Sequence, residues 1–474
     1  MRCQLTAFLL LTASPALAQT RADSALVARI LTAEDRRDSA SAAFSEGLAS
    51  RNPTIRVLAA RAVARIKDPR FASRDSLPPL PPPPNYPDPA WRLRYRALAT
   101  KPIDCERIDV AMTDSAWPVR LRAVDLATSN CEGAIIALAN AWLRKYPSTG
   151  HRTHGGVAWQ AAAHAFVAAA RLSPENAKAA LPALAKDPVP WTRVYAARGA
   201  AILEDTATLK RLTADPNDNV KEAAIDGLAK VAGHAADDVY IRALDASGYQ
   251  VIRAAAIALK GTPRRADIVA AGGRVLAKLR ADSSETSRDA RVAIADRLRE
   301  LGVANVSADL VKQSSPVPLS RDAVALALGK DVRLRVTIAD SSGGGSFVVR
   351  LRGDVAPIMA ARVLSLVRAG WYDNRTWYRV EPDFVIQGGG PGSNEYVGHP
   401  RFMRDELAGV QHLRGTVGMS TRGHDTGDAQ WFINLRDNQR LTRDYTLFGE
   451  VIEGIDVVDG ILEGDVIARV RVVE

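Results

Sequence analysis

After Lys330 the chain alternates with a period of two. Val332, Leu334, Val336 and Ile338 point one way and Arg333, Arg335 and Thr337 the other, as in a half-buried strand. Gly343-Gly344-Gly345 supplies a turn, and Phe347 to Leu351 the returning strand. A helix is expected from about Ala356, carrying Val363, Leu366 and Val367 on its apolar side, and short strands divided by glycine-rich turns follow. Two strands, a helix and then many strands predict a closed β-barrel with a helix capping one end.

Upstream of this region the period is helical. Val220, Ala224, Leu228 and Val231 fall at i, i+4, i+8 and i+11 and form one aliphatic stripe. The stripe recurs. Asp187-Pro188 precedes Val194, Ala196 and Ala197; Asp215-Pro216 precedes Val220, Ala223 and Ala224; Asp245-Ala246 precedes Ile252, Ala254 and Ala255. Fainter copies start at Asn52-Pro53 and Asp114-Ser115. Each begins with a turn-and-cap pair that starts a helix. Units of near 30 residues built from two short helices cannot bury their own apolar faces, so they must stack into an α-solenoid. The Asp-x-x-x-x-Val-Arg-x-x-Ala rhythm resembles the HEAT-like repeat family, clearly over about 187–260 and irregularly elsewhere between 22 and 310. That resemblance implies a curved scaffold that binds other proteins; an α-solenoid with no ligand beyond its neighbouring domain is the alternative expectation.

Between these patterns lie breakers. SLPPLPPPPNYPDP, at 76–89, can be neither helix nor central strand, because proline lacks the N–H and fixes φ. It reads as an extended linker or a stiff surface loop. SSPVPLS, at 314–320, separates the helical region from the barrel. At the start, MRCQLTAFLLLTASPALAQ has a positive Arg2, an apolar run from Leu5 to Leu11 and a small-x-small site at Ala16-Leu17-Ala18, the layout of a secretory signal. The apolar run is far short of the ~20 residues a membrane span needs. The expected organisation is a signal over 1–18, N-terminal helical repeats over 19–75, a proline-rich linker or loop over 76–89, a solenoid over 90–310, a linker over 311–330 and the barrel over 331–474. The protein is expected to be exported, periplasmic or secreted, without a membrane span.

A chain of 474 residues, 47% apolar and 24% charged, is globular and too long for one ordinary core. The net charge of +10 favours acidic partners. The basic residues, however, alternate with acidic ones, as in Arg288-Asp289-Ala290-Arg291, and no Lys/Arg block is interleaved with aromatics. A solvated arginine-rich surface follows, and no nucleic-acid partner. Removal of a signal leaves Cys105 and Cys131, which in an oxidising compartment either pair or stay two separate buried thiols. His151 and His154, in a glycine-containing stretch without carboxylates or cysteines at ligand spacing, read as surface residues.

Three later stretches carry candidate chemistry. WYDNRTWYRVEPDFVIQGGGPG, at 371–392, sets an arginine among aromatic residues and a glutamine before three glycines. GMSTRGHDTGDAQWFINL, at 418–435, is a long polar loop ending in an apolar strand, and LTRDYTLFGEVIEG, at 441–454, adds another. In this order and spacing they resemble the cyclophilin family of prolyl isomerases over about 331–474. The resemblance implies an eight-stranded antiparallel barrel with a helix over each end, acting on X–Pro bonds of polypeptide clients without cofactor or metal. It places the catalytic arginine at Arg379 and the backbone-binding glutamine at Gln387. Phe384, Val385, Phe432 and Leu441 fall on the proline pocket, with Gln430, Thr421 and Tyr445 as further substrate contacts. The chain departs from the family pattern at several places. Val385 stands where methionine is frequent, Tyr445 where many relatives carry histidine, and Thr421 where an asparagine or alanine-type residue is common. Arg440 lies near the pocket-rim tryptophan of larger eukaryotic members, which puts cyclosporin sensitivity in doubt. A non-catalytic scaffold holding proline-containing peptides is the competing expectation.

Overall fold

Leu334, Val336 and Ile338 are buried and Arg333 and Arg335 exposed, so the first strand of the C-terminal region presents the face its alternation requires. The computed structural model describes residues 15–67, 81–128, 131, 141, 159–312 and 317–473. Residues 1–14 of the expected signal, 76–80 of the proline-rich stretch, and His151 and His154 lie outside them.

Eight strands close a barrel: β1 (Arg333–Ile338), β2 (Ser346–Leu351), β3 (Arg375–Val380), β4 (Val385–Gly388), β5 (Thr416–Met419), β6 (Trp431–Asn434), β7 (Leu447–Glu453) and β8 (Val466–Val473). Their order around the barrel is β1-β2-β7-β5-β6-β4-β3-β8, with every pairing antiparallel. Inside, Trp431 is the centre of an aromatic stack. Its ring centroid lies 4.7 Å from Tyr372, 6.1 Å from Trp377 and 6.2 Å from Phe448. The helix Pro357–Arg368 opens with proline in its first turn, where the missing N–H costs nothing, and buries Met359, Val363, Leu364 and Val367 in the same core. The helix Ile455–Asp459 follows β7.

The preceding region is helical. Pro190–Ile202, Asp218–Ala232, Tyr249–Ala258 and Arg288–Glu300 pack each on the next, with shorter helices between them, and share one continuous apolar core. Asn217 caps the helix Asp218–Ala232 by accepting from the N–H of Asn219 and Val220. Of the expected stripe Val220, Ala224 and Leu228 are fully buried, and Val231 is half-buried against the same core.

Two boundaries differ from the sequence expectation. The helices Pro15–Asp35, Ala42–Leu48 and Pro53–Lys67 do not stand apart as repeats. Val27, Ile30, Leu31, Phe44 and Ile55 belong to the same apolar cluster as the barrel. The expected 311–330 linker contains the helix Arg321–Ala327, which packs on Pro357–Arg368 and buries Ala323 and Leu326. The N-terminal helices and the helix Arg321–Ala327 thus share one apolar core with the barrel.

The proline-rich stretch, over its described residues 81–89, lies on the barrel. The Tyr86 hydroxyl donates to the Val451 carbonyl at 3.0 Å, Arg352 donates to the Pro81 carbonyl and Arg414 to the Pro87 carbonyl. A chain of prolines keeps its carbonyls unpaired and extended, which suits it to accept from fixed arginines. Gly464 sits between Trp159 and Trp191, where a Cβ would come within 2.7 Å of the Trp159 ring and where φ is +84°. Only glycine meets both requirements.

Cys105 and Cys131 form a disulfide that closes a 26-residue separation around the helices Cys105–Ala111 and Trp117–Leu126. For a loop of this size the loss of chain entropy in the unfolded state is worth about 3 kcal/mol. Cys105→Ser/Cys131→Ser is expected to lower unfolding stability by that order, and reductant should do the same to the wild type. A urea midpoint unchanged by either treatment would contradict it. Among the described residues no helix is long and apolar enough to cross a membrane.

Candidate active site

Register assembles the site. Arg379 on β3 is opposite Gln387 on β4, Gln387 is opposite Phe432 on β6, and Phe432 is opposite Gly418 on β5. Directly opposed residues of neighbouring strands share a face, so these four form one row across four strands. Gly418 leaves the space that the Phe432 ring fills; a Cβ there would lie 2.3 Å from the ring's Cζ.

A register irregularity between Trp377 and Arg379 decides which side chains join the row. Strict alternation would send Trp377 and Arg379 to the same face. Instead Trp377 is fully buried in the barrel, while the Arg379 side chain is 42% exposed. Such a bulge re-aims side chains at a barrel's rim. It also brings Tyr378 to the site. Gln387 donates from Nε2 to the Tyr378 hydroxyl and to Ser420 Oγ at 2.8 Å, and its Oε1 accepts from Arg379 Nη1 at 3.2 Å. Both ends of the amide are therefore assigned, and its plane is held. Arg379 also meets the Glu381 carboxylate at 3.4 Å. A guanidinium has five N–H donors, so these two contacts leave others for a ligand. Burial pushes the Tyr378 hydroxyl well above its ordinary range, which keeps it neutral.

Beside the arginine is a small apolar pocket. Val385, Phe432 and Leu441 are buried there, and Phe384 and Tyr445 pack against them. The Tyr445 ring meets Phe432 edge-on at 5.6 Å. The Phe384 ring lies between two guanidinium groups, with Arg379 Cζ 5.7 Å from its centroid and Arg440 Cζ at 4.4 Å. Arg440 thus supplies a cation–π rim at the place where an aromatic residue was expected in larger family members.

Behind Phe432 stacks His412, with ring centroids 5.8 Å apart. His412 Nδ1 lies 3.2 Å from Asn434 Nδ2, which can only donate, and Nε2 lies 3.2 Å from the Tyr445 carbonyl, which can only accept. Those partners select the neutral tautomer with the proton on Nε2. Burial holds the imidazole down to about 4. Because this value is below the ordinary 6.5, the unfolded chain binds the extra proton first. The contribution to stability is present above about 6.5 and is lost as pH falls through 4. Activity and melting temperature should both be flat from this group near neutrality and fall together toward pH 4, with His412→Gln removing that limb. A profile in which the limb survives would refute the assignment.

Not every sequence candidate converges. Gln430 is buried, but its amide donates to Asp428 and to the Glu395 carbonyl at 3.3 Å each, and its Oε1 has no partner among the described residues. It underlies the 390–396 loop rather than the proline pocket. Thr421 is half-buried, and the contact to Gln387 is made by its neighbour Ser420. Tyr378, Ser420 and His412 are the contributors that pattern reading passed over.

The helical region clamps this site from outside. Arg92, on the helix Ala90–Ala97, is fully buried and donates to the Pro382 carbonyl at 2.8 Å and to Asp88 and Asp459. Arg96 and Arg436 both pair with Asp383. The turn between β3 and β4, which ends at Phe384, is thereby fixed from a helix about 290 positions away in sequence.

Residues 334–474 match the family described as cyclophilin type peptidyl-prolyl cis-trans isomerase/CLD. Peptidyl-prolyl cis-trans isomerase B of Bacillus subtilis is 34% identical over 131 residues, spanning 27% of this chain and 92% of that protein. The chain belongs to the cyclophilin-type peptidyl-prolyl cis-trans isomerase family. Peptidyl-prolyl cis-trans isomerase B of Escherichia coli is 34% identical over 128 residues, 25% of this chain and 78% of that protein. For the Acinetobacter baylyi peptidyl-prolyl cis-trans isomerase the figures are 36% over 125 residues, 25% of this chain and 66% of that protein. A crystal structure of a Cryptosporidium parvum cyclophilin type peptidyl-prolyl cis-trans isomerase aligns over 31% of this chain and 99% of its own, at 21% identity and a TM-score of 0.29. In this cyclophilin the family match covers the barrel, and the helices before residue 334 lie outside it.

Proposed function

We propose that the protein catalyses cis–trans isomerisation of X–Pro bonds in exported polypeptides, with the stacked helices acting as a HEAT-like scaffold that presents clients to the barrel. The carrying observation is Arg379, fixed by Gln387 at the mouth of the pocket made by Val385, Phe432 and Leu441. Rotation about the X–Pro bond breaks amide resonance across a barrier of about 18–20 kcal/mol. In the twisted state the prolyl nitrogen becomes pyramidal and gains a lone pair. The guanidinium, charged at any relevant pH, donates to that lone pair. Since the lone pair exists only there, the bond lowers the barrier without tightening ground-state binding. The apolar pocket holds the pyrrolidine ring, and Gln387 holds the flanking peptide so that a single bond turns.

Export is supported by the Arg2, Leu5–Leu11 and Ala16-Leu17-Ala18 pattern and by a disulfide, which belongs to oxidising compartments. Cleavage after Ala18 would remove the start of the helix Pro15–Asp35 and keep its packed residues Val27, Ile30 and Leu31. Exchange spectroscopy on an Ala-Pro peptide tests the reading: cis–trans interconversion should become faster with the full chain present. Peptide binding with no rate increase over buffer would leave a proline-binding scaffold and sink the isomerase.

A further inference from the structure

The turn between β3 and β4 is held at three consecutive residues, Pro382, Asp383 and Phe384. The Phe384 carbonyl accepts from the Leu435 N–H at 3.0 Å and from Asn438 Nδ2 at 2.9 Å. One oxygen of the Asp383 carboxylate accepts from Arg96 Nε at 2.5 Å, and the other from Arg436 Nη1 at 3.1 Å. The Pro382 carbonyl accepts from Arg92 Nε at 2.8 Å. Phe384 is thus held from within the barrel region. Pro382, and one side of Asp383, are held by the helix Ala90–Ala97.

That helix is itself anchored. Arg92 and Arg96 lie one turn apart, and both pair with Asp88, at 3.0 Å and 2.8 Å. Arg92 also donates to Asp459, whose carboxylate accepts from Arg414 as well. Just upstream, Arg414 takes the Pro87 carbonyl and the Tyr86 hydroxyl takes the Val451 carbonyl. Residues 86–97 therefore form a strap, fixed to the barrel at its start, that delivers two guanidinium groups to the turn at its end. Pro87 and Pro89 stiffen it by fixing φ. The strap lies outside the family match over 334–474, so it belongs to the helical part of this chain.

The turn matters for what it carries. Phe384 is half-buried, and its ring packs against Val385, Phe432 and Leu441 as the outer wall of the proline pocket. A wall residue on a turn keeps one position only where its backbone is held, and a wall already in place lowers the ordering cost of binding. The pocket grips the pyrrolidine ring in the planar and twisted states alike. Loosening the wall should therefore raise KM and spare kcat, whereas loss of a donor to the transition state does the reverse.

Resting on the isomerase reading above, we propose that Arg92 and Arg96 are positioning residues for the proline pocket, acting through Pro382 and Asp383 to hold the Phe384 wall, so that the helical part completes the substrate site. Arg96→Met in the full chain tests it, because Arg96 is partly exposed and the buried Arg92 stays in place. Binding of a labelled Ala-Pro peptide is read by fluorescence anisotropy and turnover by exchange spectroscopy. Kd and KM should rise about fivefold, with kcat within about twofold of wild type, and Arg96→Lys should restore most of the affinity. Arg94→Met removes the Arg94–Asp114 pair from the same helix and should change neither Kd nor kcat. In an Asp383→Asn background, Arg96→Met should weaken binding little further, since its route to the pocket is already cut. Unaltered affinity in Arg96→Met, an equal loss in Arg94→Met, or a full further loss in the Asp383→Asn background would overturn the positioning role. A wild type that binds the peptide without accelerating it would instead fail the isomerase, and the Kd values would still decide the positioning.

Discussion

Arg379→Ala should reduce kcat/KM on an X–Pro peptide by about 10²–10³, the usual effect of deleting one preorganised donor to transition-state charge. The fall should appear in kcat, with KM nearly unchanged, because the lost bond forms only when the prolyl nitrogen pyramidalises. Arg379→Lys should recover a minor part. An ammonium is charged, but it cannot accept the same placement from Gln387 Oε1 while reaching the ring nitrogen with a rigid fork. Gln387→Leu offers the complementary case. It frees the guanidinium and leaves the Tyr378 hydroxyl and Ser420 without their amide partner, so both kcat and KM should worsen. A rise in KM with kcat unchanged for Arg379→Ala would mean that the arginine merely binds, and the mechanism would fail.

What could be read in the sequence follows the range of the interactions involved. Short-range periodicity was legible: Leu334, Val336 and Ile338 inward, and Val220, Ala224 and Leu228 along a helix, are properties of neighbours in the chain. The candidates Phe384, Val385, Phe432, Leu441 and Tyr445 gather in one cluster, since Val385 and Phe432 lie on strands whose register the closed barrel enforces and the other three lie on the turns that join such strands. The bulge at Tyr378 was not legible, because it depends on how β3 meets β4 rather than on the preferences of β3 alone. Nor was the embrace of the barrel by the helices. Arg92 to Pro382 and Tyr86 to Val451 are contacts between single polar groups hundreds of residues apart, and they leave no periodic trace. Proline-rich composition spoke for stiffness at 76–89 and was silent on where the stiff segment docks.

The same embrace predicts where the fold is most vulnerable. Arg65, on the helix Pro53–Lys67, is 1% exposed. Its Nε donates to the Leu407 carbonyl at 2.8 Å, Nη2 to the Val355 carbonyl and Nη1 to Glu34 at 2.8 Å. Next to this pair is Glu406, fully enclosed, whose carboxylate caps the helix Pro357–Arg368 by accepting from the N–H of Ile358 and Met359. One cation therefore joins the N-terminal helices and the barrel, is paired with the buried Glu34 carboxylate and acts on the neighbouring Glu406 through its charge. Arg65→Met should cost about 3–5 kcal/mol, because it strands buried acceptors and charge, whereas Arg65→Met/Glu34→Leu should regain much of the loss. Burial, then the Glu34 charge, raise Glu406 well above the usual carboxylate range. The folded protein accordingly keeps a proton there that the unfolded chain releases from about pH 4.5 upward, so this contribution is full below that pH and declines as pH rises. Glu406→Gln should flatten the decline. Urea midpoints across pH 5 to 8 would measure all three variants, and a shift below about 1 kcal/mol for Arg65→Met would show that the helices are held to the barrel by other contacts.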